Sequence, residues 1–276
     1  MSSHPRRTVG VLLASVTALL TAGIPAAAAA TPAPDPKPAP GTTEASKTPA
    51  PQPPVPDPHA TVAVLDLDAG ATTPVIQGED RTYDTASIVK VDILAALLLK
   101  AQDERRALTD EERGHAEPMI KRSDNDAADA LWKEIGQDPG LTAANQRLGL
   151  TSTTAGTSGR WGLTRTTASD QIRLLRAVFD DSARSPLTPD SRAYIRTLMG
   201  EVLPEQSWGV SAVNAAGTEL KNGWLQRTTT GLWDVNSIGE VTLGGHRCLV
   251  AVLSDGSASM SDGVSLVEQA ARAAVA

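Results

Sequence analysis

Apolar residues along the chain follow two spacings, one typical of strands and one typical of a buried helix. Residues 61–68, TVAVLDLD, alternate between apolar and polar positions, and 69–73 read as a turn into a second strand around 74–77. Residues 84–100, DTASIVKVDILAALLLK, instead carry apolar side chains on nearly every side of a helix. A helix of this kind is buried inside a domain, and this one is too short and too often interrupted to span a bilayer. The pattern predicts two antiparallel strands followed by a core helix.

The middle of the chain is predicted to be helical, and its last quarter is predicted to consist mainly of strands. Thr109 is placed to cap a helix. Past Gly217, strand-like runs are separated by glycine-rich turns and followed by one more helix. Because strands come from both ends of the chain with helices between them, we predict an α+β fold with an antiparallel sheet, flanking helices and an inserted helical block. Further predicted helices are 125–135, 141–148, 167–179, 189–203 and 261–275, and further predicted strands are 218–225, 232–243 and 247–255.

The first 58 residues have the layout of an export signal followed by a tether. A basic start, an apolar run and an alanine tract within residues 1–30 are typical of a signal peptide. Residues 31–58 contain eleven prolines and predict an extended linker without a core of its own. Residues 59–276 are then one folded domain, with a helical subdomain at about 86–205. We expect the protein to be secreted or otherwise extracytoplasmic, in part at the cell wall, without stable membrane insertion after the signal is removed.

Composition and charge narrow the function further. The chain of 276 residues is 41% hydrophobic and 3% aromatic, which is enough to bury a core. The predicted domain has 21 basic and 29 acidic side chains, so nucleic acid is not an expected partner.

The single cysteine, Cys248, lies in an apolar run and predicts a buried thiol. His115 and His246 have no partner at metal-ligand spacing, and neither a metal nor a cofactor is expected. The tryptophans for which we favour core or wall packing are Trp161, Trp208, Trp224 and Trp233.

A serine and a lysine stand three residues apart at the start of the predicted core helix. With Asp84 or Thr85 as N-cap, Ser87 lies in the first turn, where backbone N–H groups lack intrahelical partners and form an anion site. Residues three apart share a helix face, so the Lys90 amine can reach the Ser87 hydroxyl. If burial lowers the pKa of Lys90, the amine can accept the proton of Ser87. The pair has the composition of a Ser/Lys nucleophile.

Two further tripeptides make this pattern specific. Ser123-Asp124-Asn125 lies at a break between predicted helices, and Lys221-Asn222-Gly223 lies inside a predicted strand. A Ser-x-x-Lys spacing alone arises by chance roughly once in every two or three chains of this length. All three motifs, in this order and each on a fitting element, form a specific signal.

Together the three motifs resemble those of the class A β-lactamase and penicillin-binding protein superfamily. The resemblance covers about residues 61–276 and implies a helical domain packed on an antiparallel sheet built from both termini. It also implies that Ser87 is the acylated nucleophile and Lys90 its proton partner. Further implied roles are a proton relay to the leaving nitrogen by Ser123 and Lys221, substrate binding by Asn125, Asn222, Gly223 and Trp224, an oxyanion hole from the N–H groups of Ser87 and Trp224, and a loop held by Asp124.

The chain departs from that family pattern at three places. Asn222 stands where the family has serine or threonine, so an amide that can donate a hydrogen bond replaces the hydroxyl that contacts the substrate carboxylate. The segment between the first two motifs is shorter than usual. No glutamate occurs between Glu134 and Glu201, and residues 149–167 therefore lack the deacylating base of class A β-lactamases.

The sequence supports an exported serine hydrolase that forms an acyl-enzyme on Ser87 with β-lactams or related D-amino-acid amides, with weak β-lactamase activity. One alternative is a penicillin-binding D-alanyl-D-alanine peptidase-like enzyme of the cell wall. Another is a catalytically silent domain that binds cell-wall peptide or a partner protein. The expected ligand is a small-molecule β-lactam or a cell-wall peptide, and the protein is expected to be a monomer.

Overall fold

The computed structural model describes residues 59–181, 184–214 and 216–276, so the predicted signal peptide and linker lie outside the described residues. Within that part of the chain, strands from both ends flank a helical block. The strands are β1 (His59–Asp66), β2 (Val75–Gln77), β3 (Tyr83–Asp84), β4 (Arg165–Thr166), β5 (Glu219–Gln226), β6 (Trp233–Leu243) and β7 (His246–Ser257). The helices are α1 (Val89–Asp103), α2 (Asp110–Lys121), α3 (Asn125–Glu134), α4 (Gln137–Leu148), α5 (Ala168–Phe179), α6 (Pro189–Gly200) and α7 (Met260–Ala274).

Five of these strands form one antiparallel sheet in the order β2-β1-β7-β6-β5. The first long strand pairs with the last, with Val62 opposite Val252. The predicted α+β fold, with a sheet built from both ends of the chain, is therefore confirmed. β3 and β4 form a separate two-stranded ribbon. β5, which carries the Lys221-Asn222-Gly223 motif, is an edge strand of the larger sheet.

Alternate residues of the sheet pack on opposite faces, as strand geometry requires. One face joins the main core around α1, with Leu249, Ala251 and Leu253 of β7. The other face packs against α7 and includes Val250 and Val252. Cys248 is buried on this second face, as predicted, and burial raises the pKa of its thiol to about 11. No helix in the described part of the chain is long and apolar enough to cross a membrane.

The start of α1 differs in detail from the sequence-based prediction. A 3-10 turn, Ala86–Ile88, precedes the α-helix, and the side chain of Thr85 does not cap it. The Asp84 carboxylate is not a cap either, because it forms ion pairs with Arg165 and Arg227. Ser87 thus lies in a tight turn leading into α1 and not in the first turn of the α-helix itself.

Other helix ends follow their sequence signals. Thr109 and Glu112 form a capping box at α2, as the sequence predicts for Thr109. The helix predicted over 189–203 ends three residues earlier, at Gly200. The N–H of Leu203 donates instead to the carbonyl of Lys121 at 2.9 Å, and Pro204 follows it.

Asp92 is a carboxyl group inside the main core. It is fully buried on α1, and neither carboxyl oxygen has a hydrogen-bond partner among the described residues. Burial, together with the nearby charge of Asp170, raises the pKa of Asp92 from 3.8 to about 7. Between pH 3.8 and about pH 7, the Asp92 carboxyl is protonated in the folded protein and ionised in the unfolded chain. Asp92 therefore makes the free energy of unfolding fall as the pH rises through this window.

We expect Asp92→Asn to remove this contribution, so that the free energy of unfolding falls less steeply between about pH 4 and pH 7 than in the wild type. Urea titrations across that range measure the slope. Asp234 also has a pKa raised to about 7, chiefly by burial, so Asp234→Asn should remove a separate part of the slope. An unchanged slope in Asp92→Asn would contradict the buried neutral carboxyl.

Candidate active site

Ser87 and Lys90 come together because the turn that starts α1 is tightly wound. Ala86, just before Ser87, has a φ of 47°, a conformation that alanine rarely adopts. The turn that follows places the Lys90 Nζ atom 2.9 Å from the Ser87 Oγ atom. Lys90 has no exposed surface, so the amine and the hydroxyl meet inside the protein, as the spacing in the sequence predicts.

Four oxygen atoms surround the Lys90 amine. Besides Ser87 Oγ, Nζ contacts the carbonyl and hydroxyl oxygens of Ser123 at 2.7 and 3.1 Å and Oδ1 of Asn125 at 2.8 Å. A neutral amine has two N–H groups to donate and one lone pair, which can accept a proton from a serine hydroxyl. The two N–H groups match the two oxygens that can only accept, Ser123 O and Asn125 Oδ1, and the lone pair is left for a hydroxyl such as that of Ser87.

The electrostatics favour that neutral form. Burial lowers the pKa of Lys90 to about 7, while the charges of Asp124 and Asp129 act in the opposite direction. Each of the four hydrogen-bonding oxygens belongs to an uncharged group. A pKa lowered toward neutral pH makes the unprotonated Lys90 amine accessible there, which suits a general base.

Ser123 connects this pair to Lys221. It lies between α2 and α3 with a φ of 59°, and its Oγ atom is 3.0 Å from the Lys221 Nζ atom. Lys221 is buried on β5, and its pKa lies well below the usual value because of burial and the nearby charge of Lys90. Asp124 caps α3 by accepting from Ala127 N at 2.9 Å. The Ser123 hydroxyl is thus placed between two amines and can pass a proton between them.

The edge strand β5 lies directly against the Ser87 turn at Gly223. A Cβ atom added to Gly223 would lie 2.6 Å from Ser87 N, 2.7 Å from Ile88 N and 2.8 Å from Thr85 O. All three are backbone atoms, so only glycine allows this approach. Trp224 follows directly on the strand. This close contact brings the three sequence motifs into one site.

Asn236, on the neighbouring strand β6, was not singled out by the sequence. Its side-chain Nδ2 donates to the carbonyl oxygens of Asp84 and Thr85 at 2.9 and 3.0 Å. The residue is completely buried. It ties the main chain before Ser87 to the centre of the sheet. An asparagine inside a strand, where this residue type is uncommon, is the only signal that could have identified it.

Asn222 differs most from its expected role. Its Nδ2 atom donates to the carbonyl oxygens of Gln206 and Trp208 at 2.7 and 2.9 Å, which uses both amide hydrogens. The remaining side-chain oxygen is buried and accepts nothing in the described structure. In this arrangement the amide holds the segment before β5 and does not reach toward a substrate carboxylate. That segment places Trp208 against Trp224, with ring centroids 5.8 Å apart.

Trp161 also lies at the site. The sequence favoured core or wall packing for this residue. Lys90 Nζ is 4.8 Å from the centroid of its ring, and its Nε1 donates to Asp129 Oδ1 at 2.7 Å. It is partly buried against the main core. The candidate side chains that lie with Ser87 and Lys90 are those of Ser123, Asn125 and Lys221, together with the backbone of Gly223. The Trp224 ring packs instead with the second core cluster. The described residues contain no cluster of side chains able to hold a metal.

A helical block on an antiparallel sheet, with a Ser/Lys pair where the two meet, defines a β-lactamase-like protein, and comparison with known proteins agrees. Residues 113–276 match the model of the Beta-lactamase2 family, described as the β-lactamase enzyme family. The chain belongs to this family. The matched region includes the motifs at Ser123 and Lys221 and begins after Lys90.

Curated relatives are proteins named "Putative lipoprotein LppW" from Mycobacterium bovis and Mycobacterium tuberculosis. Each is 31% identical over 170 residues, which cover 59% of this chain and 53% of the relative. The chain thus matches about half the length of these relatives.

Solved structures share the fold at low identity. A class A β-lactamase from Bacteroides cellulosilyticus has a TM-score of 0.65 at 18% identity, covering 78% of this chain and 90% of that one. PBP-A has a TM-score of 0.65 at 21% identity, covering 82% and 89%. A mutant of PBP-A was solved as an acyl-enzyme complex with penicillin G.

We expect Gly223→Ala to displace the Ser87 turn from β5, because the added methyl group meets only backbone atoms. The variant should fold less stably and should lose most reactivity at Ser87, since the amine, the hydroxyl and the N–H groups no longer align. Gly114→Ala, in α2, is the matched control, because a Cβ there meets nothing within 4 Å and the backbone is helical. Covalent labelling of Ser87 by a labelled penicillin measures reactivity in both variants, and thermal unfolding measures their stability. Full labelling of Gly223→Ala would contradict the close approach.

Asn222→Asp should destabilise the protein more than Asn222→Ala does. The aspartate places a buried charge against the carbonyl oxygens of Gln206 and Trp208, whereas alanine only leaves them unpaired, at a cost of about 1–3 kcal/mol for a lost buried hydrogen-bonding partner. Urea unfolding measures both changes. Gln226→Ala, at the exposed end of the same strand, should change stability little. Equal stability of Asn222→Asp and wild type would show that the amide donates to neither carbonyl.

Proposed function

We propose that the protein is an exported serine hydrolase whose Ser87 is acylated by β-lactams or related D-amino-acid amides, and which releases the acyl group slowly. The observation that carries this proposal is the 2.9 Å contact between the Ser87 hydroxyl and a buried Lys90 amine whose pKa is lowered to about 7. The site also includes Ser123, Lys221 and the backbone N–H groups near Gly223, which are the parts that acyl transfer requires.

Acylation follows from these positions. Lys90 takes the proton of Ser87 while the Ser87 oxygen attacks the carbonyl carbon of the amide. The carbon–nitrogen bond breaks, and the nitrogen receives a proton from the Ser123 hydroxyl, which recovers one from Lys90 or Lys221. The N–H groups of Ser87 and Trp224 stabilise the negative oxygen. Asn125 accepts from Lys90 through Oδ1, and its amide nitrogen can bind the substrate.

The substrate carboxylate requires a partner other than Asn222, whose amide hydrogens are used within the protein. Lys221 is the nearest candidate, since its amine contacts Ser123 Oγ at the centre of the site. A bound carboxylate would favour the protonated form of Lys221 and so raise its pKa toward the usual value. Trp208 and Trp224 pack against each other and on the second core cluster, on the α7 side of the sheet, so they support β5 from behind.

Slow release follows from the absence of a carboxylate base in residues 149–167, the segment that carries the deacylating base in class A β-lactamases. Residues 149–167 contain Arg160 and Arg165 as their only ionisable side chains, and arginine is always protonated. A positioned general base typically contributes a factor of about 10² to 10⁴ in rate. This absence also favours the second candidate, a penicillin-binding D-alanyl-D-alanine peptidase-like enzyme. The likeness to PBP-A, a mutant of which was solved as a penicillin acyl-enzyme, supports it at the level of fold.

Location and organisation complete the proposal. Residues 1–30 direct export, residues 31–58 act as a proline-rich tether, and the domain from residue 59 onward works as a monomer on small β-lactams or cell-wall peptides. The lipoprotein name of the mycobacterial relatives supports a place in the cell envelope. With 32 acidic against 25 basic side chains, the chain is not suited to binding nucleic acid.

We expect the purified protein, mixed with a chromogenic cephalosporin, to release about one equivalent of product in a burst, followed by a slow steady state. Labelled penicillin should form a stable adduct on the peptide that contains Ser87, found by mass spectrometry. Ser87→Ala should fold and take up no label, and Lys90→Met should acylate slower by orders of magnitude because the base is lost.

The same measurements separate the alternatives. Fast linear turnover without a burst would show that another residue supplies the base. A stable adduct without further turnover would favour the penicillin-binding peptidase. No adduct at all would favour the silent binding domain and overturn the proposal.

A further inference from the structure

The indole ring of Trp161 lies beside the candidate nucleophile, at the start of a short 3-10 turn, Trp161–Leu163. This turn packs against the residue before the nucleophile, since a Cβ atom added to Gly162 would be 3.8 Å from Ala86 Cα. The N–H of Thr85 donates to the carbonyl of Thr164 at 2.8 Å, just after the turn. The main chain of Trp161 is therefore fixed to the main chain that carries the nucleophile.

Asp129 holds the other end of the ring. It lies on α3, and its Oδ1 accepts from the indole Nε1 at 2.7 Å. The same helix begins with Asn125, which accepts from Lys90. Trp161 thus bridges the nucleophile's turn and α3. Because Nε1 is the only polar atom of an indole and is already used, the ring presents carbon to the Lys90 amine 4.8 Å away.

The position of the Trp161 ring affects how water can reach an ester on Ser87. Hydrolysis of an ester on Ser87 needs a water molecule beside the carbonyl carbon and a group that accepts its proton. The Lys90 amine is 2.9 Å from Ser87 Oγ, so the ring of Trp161 lies close to where the ester would be. Its carbon face holds a water molecule poorly and is not a base. The amine itself already has four oxygen contacts.

We propose that Trp161, held in place by Asp129, is a positioning residue that keeps water from the Lys90 side of an acyl group on Ser87 and so prolongs the life of the acyl-enzyme. The inference rests on the proposed function, because it concerns the lifetime of that ester. The reaction it slows is ester hydrolysis. The water oxygen bonds to the acyl carbon, the bond from that carbon to Ser87 Oγ breaks, and a water proton passes to the Ser87 oxygen.

Asp129 has a second effect that the test must separate. The charges of Asp129 and Asp124 raise the pKa of Lys90, whereas burial lowers it. A further charged group near Lys90 is the Lys221 amine on β5, which contacts Ser123 Oγ. Asp129→Asn keeps an oxygen that can accept from the indole but removes the charge. Asp129→Ala removes both. The two variants therefore separate the position of the ring from the charge near Lys90.

The experiment measures acylation and release separately in the full chain. Protein is labelled with radioactive penicillin, an excess of unlabelled penicillin is added, and loss of label gives the deacylation rate. Trp161→Ala should raise this rate about tenfold, below the factor of about 10² to 10⁴ that a positioned base contributes. Trp161→Phe, which keeps a ring in place, should stay near the wild-type rate.

The Asp129 variants extend the test and remain usable if Trp161→Ala does not fold. Asp129→Ala should raise the deacylation rate, whereas Asp129→Asn should leave it unchanged. Asp129→Asn should instead move the acid limb of the acylation pH profile to lower pH, because removing a negative charge lowers the pKa of Lys90. A merely structural role for Asp129 would not move that profile.

Trp233→Ala is the control for the loss of a tryptophan, since Trp233 packs with the second core cluster, and its deacylation rate should match the wild type. Equal deacylation rates in wild type, Trp161→Ala and Asp129→Ala, all with normal acylation, would overturn the inference alone. A wild type that takes up no label would overturn the proposed function as well, and this result is distinct from the first.

Discussion

The candidate site depends on burying two lysine amines around one serine hydroxyl. Lys90 and Lys221 both contact Ser123 Oγ, and within the described part of the chain neither amine has a carboxylate among its hydrogen-bond partners. Two buried positive charges at this distance are unfavourable, because each loses its hydration and repels the other. Burial lowers the pKa of Lys90 to about 7, and burial together with the charge of Lys90 lowers the pKa of Lys221 well below its usual value. The same burial that costs folding free energy thus supplies a neutral amine near pH 7.

Several strained or crowded positions maintain that arrangement. Ala86 and Ser123 both have a positive φ, at 47° and 59°, which costs free energy for residues other than glycine. Ala86 directly precedes Ser87, which contacts Lys90, and Ser123 contacts Lys90 itself. Gly223 lets β5 approach the Ser87 turn, and Asn236 ties that turn to the sheet. The rigid surroundings hold the strained residues in place, which fits a site that is organised before any ligand binds.

Local patterns in the sequence predicted much of this structure. Apolar spacing located α1 and the long strands, because burial on one face or on all faces leaves a periodic trace. The capping box at Thr109 was equally readable. The turn at Ser87 was predicted less well, because Asp84 pairs with Arg165 and Arg227, which are distant in sequence.

The sequence was weakest where a side chain's role depends on contacts between distant segments. The direction of the Asn222 amide depends on carbonyl groups fourteen and sixteen residues away. The contact between Trp161 and Asp129 spans 32 residues, and a tryptophan in an apolar setting is typical of a core. Motif spacing indicated the residues proposed for acylation, but it carries no information on the orientation of the neighbouring side chains.

The groups proposed for acylation and the segment proposed to slow deacylation lie on different parts of the fold. The groups proposed for acylation lie on α1, at the start of α3 and on β5, all anchored in the core. The side of the site that faces Trp161 is built from residues 149–167, a segment with little regular structure, tied down by pairing of Thr154 with Arg165 and by contact of Arg165 with Asp84. Changes in such a segment disturb packing less than changes in α1 or β5 do. In the proposed reaction, changes in this segment alter how long an acyl group persists and leave in place the groups that attach it.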